Sequence, residues 1–255
     1  MKENLISLGA IARKEIIRIF RIWIQTLVPP VITISLYFVI FGSFIGSQLR
    51  EIEGYSYMAF IAPGLIMMSI ITNSYTNTVS SFFSAKFQRN IEELLVSPTP
   101  NWVIILGYVS GGMVRGLSVG LLVSLVSLVF IRLPIHSIFY TALFGLLTSF
   151  VFALAGMING VFARKFDDIS IIPTFVITPL TYLGGVFYSL SLLPGFWQVV
   201  SKVNPIVYMV NGFRYGFLGV SDISISVGLV MLILFAVALF SANLYLLKKG
   251  IGVRT

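Results

Sequence analysis

Lys86 to Pro100 reads KFQRNIEELLVSPTP. The block stands between two long apolar runs, Met58–Phe83 before it and Trp102–Ile131 after it. Each run is long enough to cross a ~30 Å hydrocarbon core as a helix rising ~1.5 Å per residue. Within the block, Phe87, Ile91, Leu94 and Leu95 recur at i, i+4, i+7 and i+8, one helical face, while Arg89, Glu92 and Glu93 lie off it. Pro98 and Pro100 stop the helix before the next apolar run. The spacing predicts a short amphipathic helix laid across one membrane face between two spans. A helix resting on lipid is the alternative, but mixed charge favours a protein partner over an anionic bilayer surface.

Composition carries the same reading to the whole chain. Of 255 residues, 57% are hydrophobic and 10% charged, and mean hydropathy is +0.98. These values define an all-α, multi-spanning membrane protein, a single transmembrane domain over residues 1–255. The formal net charge of +8 does not imply nucleic acid. The basic residues form no patch interleaved with aromatics and fall at the ends of apolar runs, where they orient a membrane protein. Cysteine is absent and His136 is the single histidine, which excludes a disulfide framework, a thiol nucleophile and a multi-histidine metal site.

At the N-terminus, Arg13, Lys14, Arg18 and Arg21 interrupt any signal-peptide core. Leu5, Leu8, Ala12, Ile16 and Ile19 recur at helical spacing opposite those charges, so residues 3–21 are expected to form an amphipathic helix in the headgroup plane. Six spans are expected after it: Ile22–Ile45, Tyr57–Ser81, Trp102–Ile131, Ser137–Ala163, Ile169–Leu190 and Ile225–Leu247. With the N-terminus inside, the cytoplasmic side holds Lys2, Arg13, Lys14, Arg18, Arg21, Lys86, Arg89, Arg164, Lys165, Lys248, Lys249 and Arg254. The outer side holds only Arg50, Arg132, Lys202 and Arg214. The bias puts both termini and the quoted block in the cytoplasm. Pro29-Pro30, Pro63, Pro173 and Pro179 break spans, as in a transport pathway or in ordinary kinked packing.

No motif supports catalysis. Gly116-Leu117-Ser118-Val119-Gly120 matches G-x-S-x-G, but it lies inside a long apolar helix without the strand, base and acid that a nucleophile elbow requires. Gly107/Gly111 and Gly112/Gly116/Gly120 are better read as four-residue repeats for close helix packing, within or between protomers. Arg115 lies inside a span, with no acidic residue in the spans to pair with it. It could line a polar route, hold a lipid phosphate or bond carbonyls of a broken helix. Asn73 and Asn77, in a polar run from Thr72 to Thr78, and Asn159 are weaker candidates for the same route. There is no G-x-x-x-x-G-K-[ST] loop, so no nucleotide or other cofactor is expected in this chain. Without intramembrane Asp or Glu, a lone channel or ion-coupled carrier is the weaker alternative.

The stretch PLTYLGGVFYSLSLLPGFWQVVSKVNPIVYMVNGFRYG, Pro179 to Gly216, resembles the signature region of ABC-2 type transporter permeases. The matching residues are Pro179, Tyr182, Leu183, Gly185, Pro194, Asn204, Pro205, Tyr208 and Arg214. The resemblance implies a bacterial inner-membrane permease of six transmembrane helices, working as a homodimer with two copies of an ATPase subunit that carry ATP and Mg. It also implies that residues 86–100 are the coupling helix, with Phe87, Arg89, Ile91, Glu92, Leu94 and Leu95 seated in the ATPase. By the same resemblance, about Leu192–Leu218 is a re-entrant helical pair on the outer side. Members export lipid-linked glycans, antibiotics, peptides and other hydrophobic compounds, and the apolar spans here suit a hydrophobic or lipid-linked substrate.

Overall fold

The computed structural model describes residues 2–41 and 51–252, and these are helical without a sheet. In chain order they form α1 (Lys2–Arg21), α2 (Trp23–Phe38), α3 (Tyr57–Phe87), α4 (Asn90–Val96), α5 (Asn101–Phe130) and α6 (Ile138–Phe162). Then follow α7 (Asp168–Ile172), α8 (Thr178–Tyr182), α9 (Gly195–Val203), α10 (Pro205–Leu218) and α11 (Ile225–Lys249). Among the described residues, five helical segments are long and apolar enough to cross a membrane: Trp23–Phe41, Tyr57–Phe87, Asn101–Phe130, Ile138–Phe162 and Ile225–Lys249. Arg50, Arg254 and the expected end of the first span at Ile45 lie outside the described residues.

The expected fifth span, Ile169–Leu190, is not a single helix. A π-helical stretch, Pro173–Ile177, joins α7 to α8, and the helical course ends at Tyr182. Fifteen helical residues from Asp168 to Tyr182 reach only about 22 Å, short of a ~30 Å core. Pro173 causes the π-helical break. Pro173 has no N–H for the carbonyl of Ile169, and the Asn159 amide of α6 donates to that carbonyl instead, at 3.4 Å.

α3 forms the centre of the bundle and packs against α5, α6 and α10, with α11 behind α6 and α10. In a bilayer, apolar side chains gain little by leaving lipid, so helices associate through close packing and internal hydrogen bonds. The glycine repeats of α5 supply that closeness. A Cβ built on Gly120 would stand 2.6 Å from Cγ1 of Ile70, while one on Gly116 would strike Ser74 Oγ and one on Gly112 Thr78 Oγ1. Ile70, Ser74 and Thr78 thus descend α3 in four-residue steps against Gly120, Gly116 and Gly112, an antiparallel ladder. On an adjoining face, a Cβ on Gly107 would lie 2.5 Å from Ile11, and one on Gly111 2.7 Å from Glu15 Cβ. These packings lie within one protomer.

That second furrow receives α1. Its buried stripe is Ile11, Glu15 and Ile19, whereas Leu5, expected on the apolar face, is 59% exposed. Because Ile11 and Glu15 step along α5 together with Gly107 and Gly111, α1 follows α5 for at least one turn.

Gly116→Val should force α3 and α5 apart and cost about 1–3 kcal/mol. Gly9→Val, where a Cβ meets nothing within 4 Å, should change stability by less than about 1 kcal/mol. Thermal unfolding of the two variants in detergent measures the difference.

Candidate functional site

At the end of α3 the chain turns through Arg89, whose φ of 62° is left-handed, and enters α4. This turn divides the expected helical face. Phe87 belongs to the last turn of α3, so its spacing to Ile91 does not lie along one helix. Ile91 is fully buried among Phe82, Ala85, Val103, Ile104 and Tyr108 of the chain's own cytoplasmic core, and Leu94 and Leu95 pack half-buried against that cluster. These aliphatic residues hold α4 to the bundle, and the outward surface includes Phe87, Arg89, Glu92, Glu93 and Val96. The sequence reading missed Val96, which is 87% exposed.

Beside α4 lies a cavity of about 640 Å³, bordered by Phe83, Phe87, Arg89, Glu92, Arg164 and Ile251 among others. Its walls are braced. The Lys86 ammonium donates to the carbonyls of Val161 and Ala163 at 2.6 and 2.8 Å, satisfying the C-terminal end of α6. Phe166 meets Phe83 and Phe87 edge-on, with centroids 5.0 and 5.1 Å away. Asp168 accepts the backbone N–H groups of Arg164 and Lys165, which hold its carboxyl below the usual aspartate range.

The four candidate path residues do not converge. Arg115 and Asn73 line one cavity of about 300 Å³ between α2, α3 and α5. Asn77 is engaged elsewhere: its Oδ1 accepts from Arg18 at 3.0 Å. Asn159 serves the carbonyl freed by Pro173. The sequence reading also overlooked Glu15, because it lies outside the predicted spans and among basic residues. It is fully buried, and its Oε2 accepts from Ser81 Oγ at 2.6 Å and from Arg18 at 3.1 Å. Arg18, Glu15, Asn77 and Ser81 therefore tie α1 to α3 through a polar cluster.

The signature residues form a separate structural assembly at the other end of the bundle. Gly185 adopts φ 72°, a left-handed turn that its lack of a Cβ permits. Arg214, expected on the outer surface, is instead fully buried. It donates to the Gly185 carbonyl at 2.5 Å and lies 3.9 Å over the Phe60 ring. Asn204 caps α10 by accepting from Ile206 N at 3.0 Å, and its amide donates to Leu180 O at 2.6 Å. Pro194 and Pro205 stand at the starts of α9 and α10, and Pro179 begins α8. Tyr208 donates to the Lys202 carbonyl, and the Tyr182 hydroxyl meets that of Tyr37 at 3.4 Å. These residues build the turn between α8 and α10.

The ABC-2 type transporter family profile matches residues 7–218, most of the chain. The chain belongs to this family. It is 59% identical over 250 residues to inner membrane transport permease YadH of Escherichia coli K12, covering 98% of each protein. It is 25% identical over 209 residues to nodulation protein J of Rhizobium meliloti, covering 82% of this chain and 80% of that one. Nodulation protein J of Neorhizobium galegae is 26% identical over 211 residues. The protein is thus a multi-pass inner-membrane permease subunit of an ABC-2 type transporter, from a family without an ATPase domain or nucleotide site of its own, and it works with a partner ATPase. The alternative of a lone channel or ion-coupled carrier is left without support.

Removing the Glu15 carboxylate should leave Arg18 and Ser81 short of a partner. Glu15→Ala is expected to cost about 2–3 kcal/mol, and Glu15→Gln less, because the amide oxygen still accepts from Ser81. Arg18→Ala combined with Glu15→Ala should be milder than the sum of the single changes. A double-mutant cycle on detergent-solubilised permease checks both statements.

Proposed function

We propose that the permease is an ATP-driven exporter half, a homodimer joined by two ATPase subunits, with α4 as the helix that receives their motion. The observation that carries this reading is the outward surface of Phe87, Arg89 and Glu92 beside the 640 Å³ cavity. A ridge of one aromatic and opposite charges next to an open recess suits a helix-in-groove contact with polar rim. ATP and Mg would act on the ATPase. The short helices Asp168–Tyr182 then form, with the chain after them, the sixth crossing. α9 and α10 form the outer re-entrant pair over about Leu192–Leu218, and α1 lies at the cytoplasmic interface with both termini inside. The pathway runs between protomers. A hydrophobic or lipid-linked cargo is favoured because the spans offer aliphatic and aromatic walls with few charges.

Burial of Ile91 changes how the contact should be tested. Ile91→Asp would put a charge into the permease's own core and is expected to unfold its cytoplasmic end. Glu92→Lys and Val96→Asp change only the outward surface. Each should leave insertion and thermal stability near wild type while weakening ATPase retention by about tenfold or more, the scale of an interface anchor. Co-purification of the ATPase with tagged permease measures this. Full retention with normal export by both variants would rule out the α4 surface as the coupling contact.

A further inference from the structure

The membrane-embedded cavity around Arg115 has an unbalanced charge. Arg115 is the fifteenth of the thirty residues of α5, about 21 Å along the axis from either end. That position is near the middle of a ~30 Å hydrocarbon core, where an uncompensated guanidinium is costly. Its Nε is buried without a hydrogen-bond partner. The one ion pair among the described residues joins Arg18 to Glu15, so Arg115 is paired with no carboxylate among the described residues. An arginine does not relieve the cost by losing its proton.

The surroundings are shaped for a polar guest. Gln25 and Thr33 of α2 and Ser69, Thr72, Asn73 and Thr76 of α3 line the same cavity as Arg115. They supply neutral hydroxyls and amides and no competing anion. Pro29, Pro30, Ile34 and Met68 complete the wall with apolar surface. Pro29 and Pro30 also lack the N–H groups that would bond the carbonyls one turn earlier, yet Arg115 Nε is not among their donors. The volume of about 300 Å³ accommodates a headgroup and leaves an apolar tail to extend between helices.

We infer that the Arg115 cavity binds the anionic group of an amphiphile, a phosphate or carboxylate carried on an apolar tail. The inference rests on the exporter reading and narrows its cargo to anionic amphiphiles, unless the occupant is a membrane phospholipid lifted from its leaflet. Both sources present the same chemistry to the guanidinium fork: two parallel charge-assisted hydrogen bonds in a region of low dielectric.

The permease–ATPase complex, reconstituted in phosphatidylcholine nanodiscs, is titrated with dodecyl phosphate, dodecanol and inorganic phosphate. Thermal protection and ATP hydrolysis are read together. Dodecyl phosphate is expected to protect wild type, and Arg115→Gln should weaken its apparent affinity about tenfold or more. Dodecanol and inorganic phosphate should bind weakly and without regard to residue 115. Stimulation of hydrolysis by dodecyl phosphate, unaffected by phosphatidylglycerol in the nanodisc, assigns the anion to cargo. Competition by phosphatidylglycerol, with that lipid co-purifying with wild type and not with Arg115→Gln, assigns it to a phospholipid. Equal binding of dodecyl phosphate to wild type and Arg115→Gln, or equal binding of dodecanol and dodecyl phosphate to wild type, overturns the inference. If Arg115→Gln is not recovered from membranes, Arg115→Lys decides, with affinity lowered several-fold in support and unchanged affinity against. Failure of the wild-type complex to retain its ATPase refutes the exporter reading, whereas charge-blind binding by an intact, ATP-hydrolysing complex refutes the anion site alone.

Discussion

The architecture depends on the absence of side chains along two faces of α5. Where Gly112, Gly116 and Gly120 meet Thr78, Ser74 and Ile70, the two longest helices approach too closely for a Cβ on α5. Apolar surface provides little net drive between helices in lipid, and contact distance sets the strength of the packing. α3 thereby becomes a buried central element. Its polar residues Asn73, Asn77 and Thr78 are enclosed in the bundle, where they bond along α3 or to a neighbouring helix.

The second glycine face determines where α1 sits, and α1 determines the charge balance. Gly107 and Gly111 admit Ile11 and Glu15, and the carboxylate arrives against Ser81 and Arg18. Glu15 neutralises Arg18, while Arg115 faces a cavity of neutral polar groups. At the cytoplasmic end the same bundle supports α4 through Ile91, leaving its charged edge free. One helix, α5, therefore bears on both candidate sites: its first turns supply Val103 and Ile104 to the cluster under α4, and its midpoint carries Arg115.

Much of this was legible from the sequence because it depends on local pattern. Apolar run length located four of the long helices closely, and the glycine repeats were correctly read as packing. The family resemblance rested on Asn204, Pro205, Gly185 and Arg214, whose roles are caps and turns that only particular residue types can fill. Other features were hidden because they depend on tertiary choice. Spacing from Phe87 to Ile91 looks helical, and only the Arg89 turn shows that the two residues belong to different helices. Period alone assigned the interior of α1 to its aliphatic residues. The furrow in α5 selected a stripe containing Glu15, and no one-dimensional pattern reports the shape of a partner surface.

The docking of α1 into that furrow is the central claim, and the chain's lack of cysteine makes it directly measurable. Single cysteines at Ile11, Glu15, Ile19 and Arg13 can be labelled in native membranes with a membrane-impermeant maleimide added from the cytoplasmic side. Cysteines replacing Ile11, Glu15 and Ile19 should be protected until the protein is denatured, while the one replacing exposed Arg13 should label rapidly. Rapid labelling at positions 11 and 15 before denaturation would mean that α1 does not sit in the furrow of α5 and would contradict the account.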